Sequence, residues 1–207
     1  MMKKIYIYKT ISLLLVVVWG VSISSCSTEI SKPSDHARPS GTSSTGNKIS
    51  KIEREQYKDG ITALYNNDLD KAQKIFVEFI RNKPNLAGAY SNLALVHFKK
   101  NEHIKSLKQV NKALKLNPKQ AQALNLRAQL YVVEGKIHES KEDYIQAITI
   151  KPKYQNAQYN LALLYDIYLQ EVPLAIEHYN IYMSLLKKPD EATAEWVSHL
   201  EGTLKND

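Results

Sequence analysis

Four kinds of residue in this 207-residue chain could carry chemistry: one cysteine, six histidines, a lysine-rich stretch and a set of asparagines and tyrosines. Cys26 is the sole thiol, so no disulfide can close within the chain. Metal chemistry finds no pattern either, since no HExxH occurs and no histidine pairs with an acid and a second histidine at helical ligand spacing. Glu177 and His178 are adjacent and so point apart on a helix. There is no glycine loop to cradle phosphate and no GxSxG nucleophile turn. These absences predict no enzyme, no cofactor, no metal and no small-molecule substrate.

Cys26 is placed by what precedes it. Lys3, Lys4 and Lys9 form a positive start, and Ile11 to Val21 read ISLLLVVVWGV before the small residues Ser22, Ser24 and Ser25. A helix over that run rises only about 16 Å, whereas a bilayer core of about 30 Å needs roughly 20 apolar residues. The segment therefore reads as the apolar part of an export signal, residues 1–25. Ile23, Ser24, Ser25 and Cys26 together resemble the lipobox of bacterial lipoprotein precursors. That resemblance implies cleavage before Cys26, diacylglycerol on its sulfur and an acyl chain on its new amino group, and several acyl chains anchor durably. The other reading is an ordinary signal peptide with an incidental cysteine. Loss of residues 1–25 removes three lysines and no acid, lowering the formal charge from +7 to +4. The high isoelectric point is thus partly the signal's, and an envelope location further disfavours nucleic acid as a partner.

Residues 26–50 are dominated by Ser, Thr, Pro and Gly and are almost free of apolar side chains. They predict a disordered tether spanning roughly 25–30 Å. The alternative is a segment that becomes ordered on a partner.

Beyond it, Pro84, Pro118 and Pro152 recur every 34 residues in RNKPN, KLNPK and TIKPK. Each period holds two helical patterns. In the second period Tyr90, Leu93, Ala94 and His97 mark one helix face, and Ile104, Leu107, Val110, Ala113 and Leu114 mark the next. Asn67, Asn101 and Gly135 hold the same place between paired helices, where left-handed backbone is expected. Gly60, Ala72, Phe76 and Pro84, then Tyr90, Asn92, Leu93, Ala94, Ala113 and Pro118, then Ala128, Tyr131, Gly135, Tyr144, Ala147 and Pro152, then YNLALLY from Tyr159, resemble the tetratricopeptide repeat (TPR). The resemblance implies an all-α solenoid over 51–189, with about four helix-turn-helix repeats at 53–86, 87–120, 121–154 and 155–189. The fourth repeat has Leu169 at the turn place and carries one extra residue, which predicts an altered loop before Pro173. Asp190 is a cap residue, and Trp196, Val197, Leu200 and Leu204 predict a C-terminal capping helix within 190–207. His97 is read as a spacer at the core edge.

In this family the first helix of each pair lines a concave groove. The resemblance therefore implies a peptide-binding surface of Tyr57, Tyr65, Asn92, Phe98, Asn125, Gln129, Tyr159 and Asn160, with Ile61, Ser91, Leu95 and Leu163 beside them. Leu95 and Leu163 read equally as packing residues. Asn92 and Asn160 fall where family members hydrogen-bond a bound backbone, so their joint replacement by alanine is expected to weaken capture with little effect on melting. The lysine and arginine sites of carboxylate-clamping members hold Tyr57, Ile61, Gln122 and Leu126, which argues against a chaperone-tail clamp. Lys105, Lys108, Lys112 and Lys115 form a basic stripe, extended by Lys119 and Arg127; it reads as a solvated face or as a surface for anionic lipid or an acidic partner.

Anchor, tether and groove together are similar in layout to the TPR lipoproteins of type IV pilus biogenesis, which assist assembly of the outer-membrane secretin. Ser27, where sorting signals place Asp, implies the outer membrane, with the domain facing the periplasm. Other expected roles are an adaptor for peptidoglycan hydrolases or synthases, an adaptor for ExbB/TonB-type transport, or a surface protein binding host or glycan ligands.

Overall fold

The computed structural model describes residues 50–205, which lie in one compact unit. The expected signal, the lipidated Cys26 and the tether up to residue 49 lie outside the described residues.

The described residues form nine α-helices and no strand: α1 (Lys51–Tyr65), α2 (Leu69–Asn82), α3 (Ala87–Lys99), α4 (His103–Leu116), α5 (Ala121–Val133), α6 (Ile137–Ile150), α7 (Gln155–Leu163), α8 (Val172–Ser184) and α9 (Glu191–Leu204). Consecutive helices pair as α1/α2, α3/α4, α5/α6 and α7/α8, and each pair packs on the next. The fold is an all-helical array of consecutive helix pairs, the arrangement that the repeat resemblance implies. Helix α3 also touches α5, and α5 touches α7, whereas the second helices of the pairs make no comparable contact. The array therefore curves with the first helices inside.

Local chemistry fixes the helix ends. Ser50 accepts from the Glu53 N–H while Glu53 accepts from the Ser50 N–H, a reciprocal cap on α1. Asp68 caps α2, and Asp190 caps α9. Helices α2, α4 and α6 each stop two residues before Pro84, Pro118 and Pro152, which cannot continue them. Between partners, Asn67, Asn101 and Gly135 stand at φ 59°, 58° and 73°, as their residue types predict.

The small residues at the next recurring position let the paired helices approach. A Cβ on Gly60 would lie 2.9 Å from Ile75 Cγ2 and 3.1 Å from the Phe76 ring. Ala94, Ala128 and Ala162 are fully buried at equivalent places. In the second and third repeats a buried serine tightens the same contact, with Ser106 Oγ donating to the Ala94 carbonyl at 2.7 Å and Ser140 Oγ to Ala128 at 2.9 Å.

The extra residue of the fourth repeat is absorbed before the turn. Helix α7 widens into a π-helical segment, Leu164–Leu169, and the left-handed residue is Gln170 at φ 56°. In the first three repeats the residue after the turn donates to a carbonyl five positions back, as Asp68 does to Ala63; here Glu171 reaches six back, to Tyr165, at 2.9 Å. Pro173 then sits in the first turn of α8.

Three expectations need correction. Ile104 is not on the buried face of α4 but 86% exposed, because it precedes the first residue that turns inward, Ser106. The stripe on α9 is narrower than expected: Thr193, Val197 and Leu200 are buried, while Trp196 and Leu204 stay open. Arg127 does not extend the basic region, since its guanidinium forms a two-pronged pair with the buried Asp143, at 2.6 and 2.7 Å.

Candidate peptide-binding groove

The inner face is built from α1, α3, α5, α7 and α9. Helix α9 packs on α8 as each inner helix packs on the outer helix before it, so it is laid down as the inner helix of a fifth, half repeat. Side-chain hydrogen bonds stitch these inner helices together. Asn92 Nδ2 donates to Tyr57 Oη at 2.9 Å, Asn160 Nδ2 to Asn125 Oδ1 at 3.0 Å, and Trp196 Nε1 to Asp166 Oδ2 at 2.7 Å.

These bonds sort the residues expected along the groove. Tyr57 is core: it is 1% exposed, with its ring edge-on to Phe76 and Phe79. Burial pushes its hydroxyl well above the ordinary tyrosine range, against the pull of Asn92. Asn92 and Asn125 are buried as well, and Ser91 with them. Asn160 and Tyr159 are half-buried, as are Tyr65, Phe98 and Gln129. Gln129 Nε2 turns back to the Asn125 carbonyl at 3.2 Å. Ile61, Leu95 and Leu163 are half-buried and pack against the core clusters beneath them. The open inner surface is therefore an apolar lane, Ile61, Tyr65, Leu95, Phe98 and Leu163, flanked by amides.

Sequence reading missed the far end of this lane. Val132 and Asp166 share the repeat position of Phe98, and Val133 and Ile167 share that of Tyr65; a strict 34-residue carry-over would have found all four. Val133 is 57% exposed and Ile167 37%.

At the C-terminal end acids meet aromatics. Asp166 Oδ2 also accepts from Tyr179 at 3.3 Å, and Tyr182 donates to Asp190 Oδ2 at 3.0 Å. The Tyr159 ring meets those of Tyr179 and Tyr182 at 5.7 and 4.8 Å. Burial, and then the nearby carboxylates, raise all three hydroxyls; Tyr182 is pushed up to about 12. Asp190 is held below its ordinary value: burial opposes ionisation, but the Thr193 N–H and hydroxyl and the Tyr182 hydroxyl outweigh it.

The lysine stripe lies elsewhere. Lys105, Lys108, Lys112 and Lys115 are exposed on α4, an outer helix, with Lys105 paired to Glu102 at 2.9 Å and Lys112 over the Tyr90 ring at 5.9 Å. His97 is 6% exposed on α3, its Nδ1 2.5 Å from Glu102 Oε2. Among the described residues no three His, Cys, Asp or Glu side chains converge as a metal site.

Residues 87–120 and 121–154 match the tetratricopeptide repeat family. No curated protein matches the sequence. Among solved structures the chain is similar to pilF of Pseudomonas aeruginosa, with 18% identity, TM-score 0.66, and 75% of this chain and 70% of that one covered. It is similar to a thermophilic TPR protein of Thermus thermophilus, at 17% identity and TM-score 0.60, over 72% and 81% of the two chains. MamA of Desulfovibrio magneticus aligns at 20% identity and TM-score 0.54, over 64% and 75%. At these identities the likenesses speak for the fold. Two of the helix pairs, residues 87–154, thus match tetratricopeptide repeats, and the helix pairs on either side of them continue the same all-helical arrangement.

Proposed function

We propose that this protein is a lipid-anchored scaffold of the bacterial envelope that holds a peptide segment of a partner protein in its inner groove, and so assists assembly of an envelope machine, foremost the type IV pilus secretin. The observation that carries the groove is the half-buried apolar lane flanked by the amides of Gln129 and Asn160. Apolar contact supplies affinity there, and an amide both donates to and accepts from a peptide backbone. The lipobox-like Ile23 to Cys26 supports the anchor, Ser27 supports the outer membrane, and the sequence layout and the pilF-like fold support the pilus role.

Crosslinking in intact membranes followed by capture of the chain tests the reading. A secretin or another pilus component held through residues of α3, α5 or α7 is expected. Loss of twitching and of secretin multimers on deletion is the matching phenotype. Altered cell shape or lysis would instead point to peptidoglycan enzymes, and a freely soluble, unacylated product would remove the anchor.

A further inference from the structure

The last bay of the groove holds a carboxylate that no lysine or arginine among the described residues pairs with. Asp166 stands at the π-helical end of α7, half-buried, between two inner helices. One carboxylate oxygen, Oδ2, takes both the Trp196 indole N–H and the Tyr179 hydroxyl. The other, Oδ1, receives no hydrogen bond, and no lysine or arginine of the described residues comes within ion-pair distance of Asp166. Asp190 adds a second carboxylate near the Tyr159 hydroxyl. The Trp196 ring is 44% exposed beside this pair.

A carboxylate fixed in orientation, with one oxygen that accepts no hydrogen bond and a part-exposed indole whose other neighbour is the His199 ring at 5.5 Å, is complementary to a guanidinium or ammonium group. The oxygen takes its N–H groups and the ring takes its face. Asp166 lies within the π-helical segment and is bonded to Tyr179 of α8 and Trp196 of α9, and such segments gather at functional places in helices. The preceding repeats hold Leu64, Phe98 and Val132 at that position, so the bay is particular to the fourth repeat. We propose that this bay receives a lysine or arginine side chain of the partner peptide, which fixes the register of that peptide along the groove. The proposal rests on the groove reading above and adds the chemistry of the guest.

The test uses the full-length chain in detergent micelles with Trp19→Phe, which leaves Trp196 as its one tryptophan. A random-peptide display library is selected against it, and a selected peptide is titrated by Trp196 fluorescence beside its norleucine counterpart. Lysine or arginine enriched at one position is expected, with a shift in Trp196 emission. The norleucine peptide and the Asp166→Asn variant should each weaken binding by about tenfold to a hundredfold. Peptides that bind without basic enrichment, or equally well as norleucine versions, overturn this proposal and leave the groove standing. Failure to select any peptide overturns the groove and this proposal together. The norleucine comparison needs no change at Asp166, so misfolding of that variant cannot shelter the idea.

Discussion

Asn160 donates to Asn125, 35 residues upstream, in the same register in which Asn92 donates to Tyr57. The two asparagines thus bind inner helix to inner helix before they can bind anything else. The expectation that their joint removal leaves melting unchanged must be given up for Asn92, whose partner is buried.

Asn92→Ala strands the Tyr57 hydroxyl in the core. A lost buried partner costs about 1–3 kcal/mol, and removing the orphaned group recovers much of it. The urea midpoint of Asn92→Ala is expected to fall accordingly, and that of Asn92→Ala with Tyr57→Phe to recover. A double-mutant cycle showing strict additivity would deny the coupling.

Arg127 and Asp143 give a second contrast. Replacing Arg127 with Leu leaves a buried carboxylate unpaired, and with the guanidinium side chain 23% exposed the expected loss is roughly 2–4 kcal/mol. Replacing both with Leu should fall within about 1 kcal/mol of the parent. Chemical denaturation of the two variants decides it.

At the turns, Gly135→Ala forces a Cβ into φ 73° and should cost about 1 kcal/mol, while Gln170→Gly, at φ 56°, should gain about as much. Thermal melts moving in the same direction for both would contradict the geometry.

His178 predicts a pH dependence. It stacks on Tyr165 and bonds through Nδ1 to Gln158 Oε1 at 2.7 Å. Burial, only partly offset by Glu177, lowers its pKa below 6.5 in the folded chain. The unfolded chain therefore binds the extra proton first, so stability falls as pH drops from about 6.5 through the folded value. Urea midpoints at neutral and mildly acid pH should separate more for the parent than for His178→Gln.

The period of 34 made the helix pairs legible, because proline, asparagine and glycine act locally and keep their place in every repeat. The groove was less legible. Tyr57 and Tyr159 share a repeat position, yet one is core and the other half-open, because Tyr57 lies between Phe76, Phe79 and Asn92 while Tyr159 meets the tyrosines of α8. Position gives a side chain its direction; its neighbours decide whether solvent reaches it. Arg127 looked like a surface charge because its counter-ion, Asp143, stands on the next helix. The extra residue of the fourth repeat could be counted in the sequence, but not assigned to the helix rather than the loop.

Each helix of the array leans on its nearest neighbours in the chain, and among the described residues no hairpin precedes α1. Tension applied at the amino end would then be met one hairpin at a time, starting with α1 and α2. The molecule would lengthen stepwise under load, like a concertina opened from one side, while its carboxyl-terminal half stayed folded.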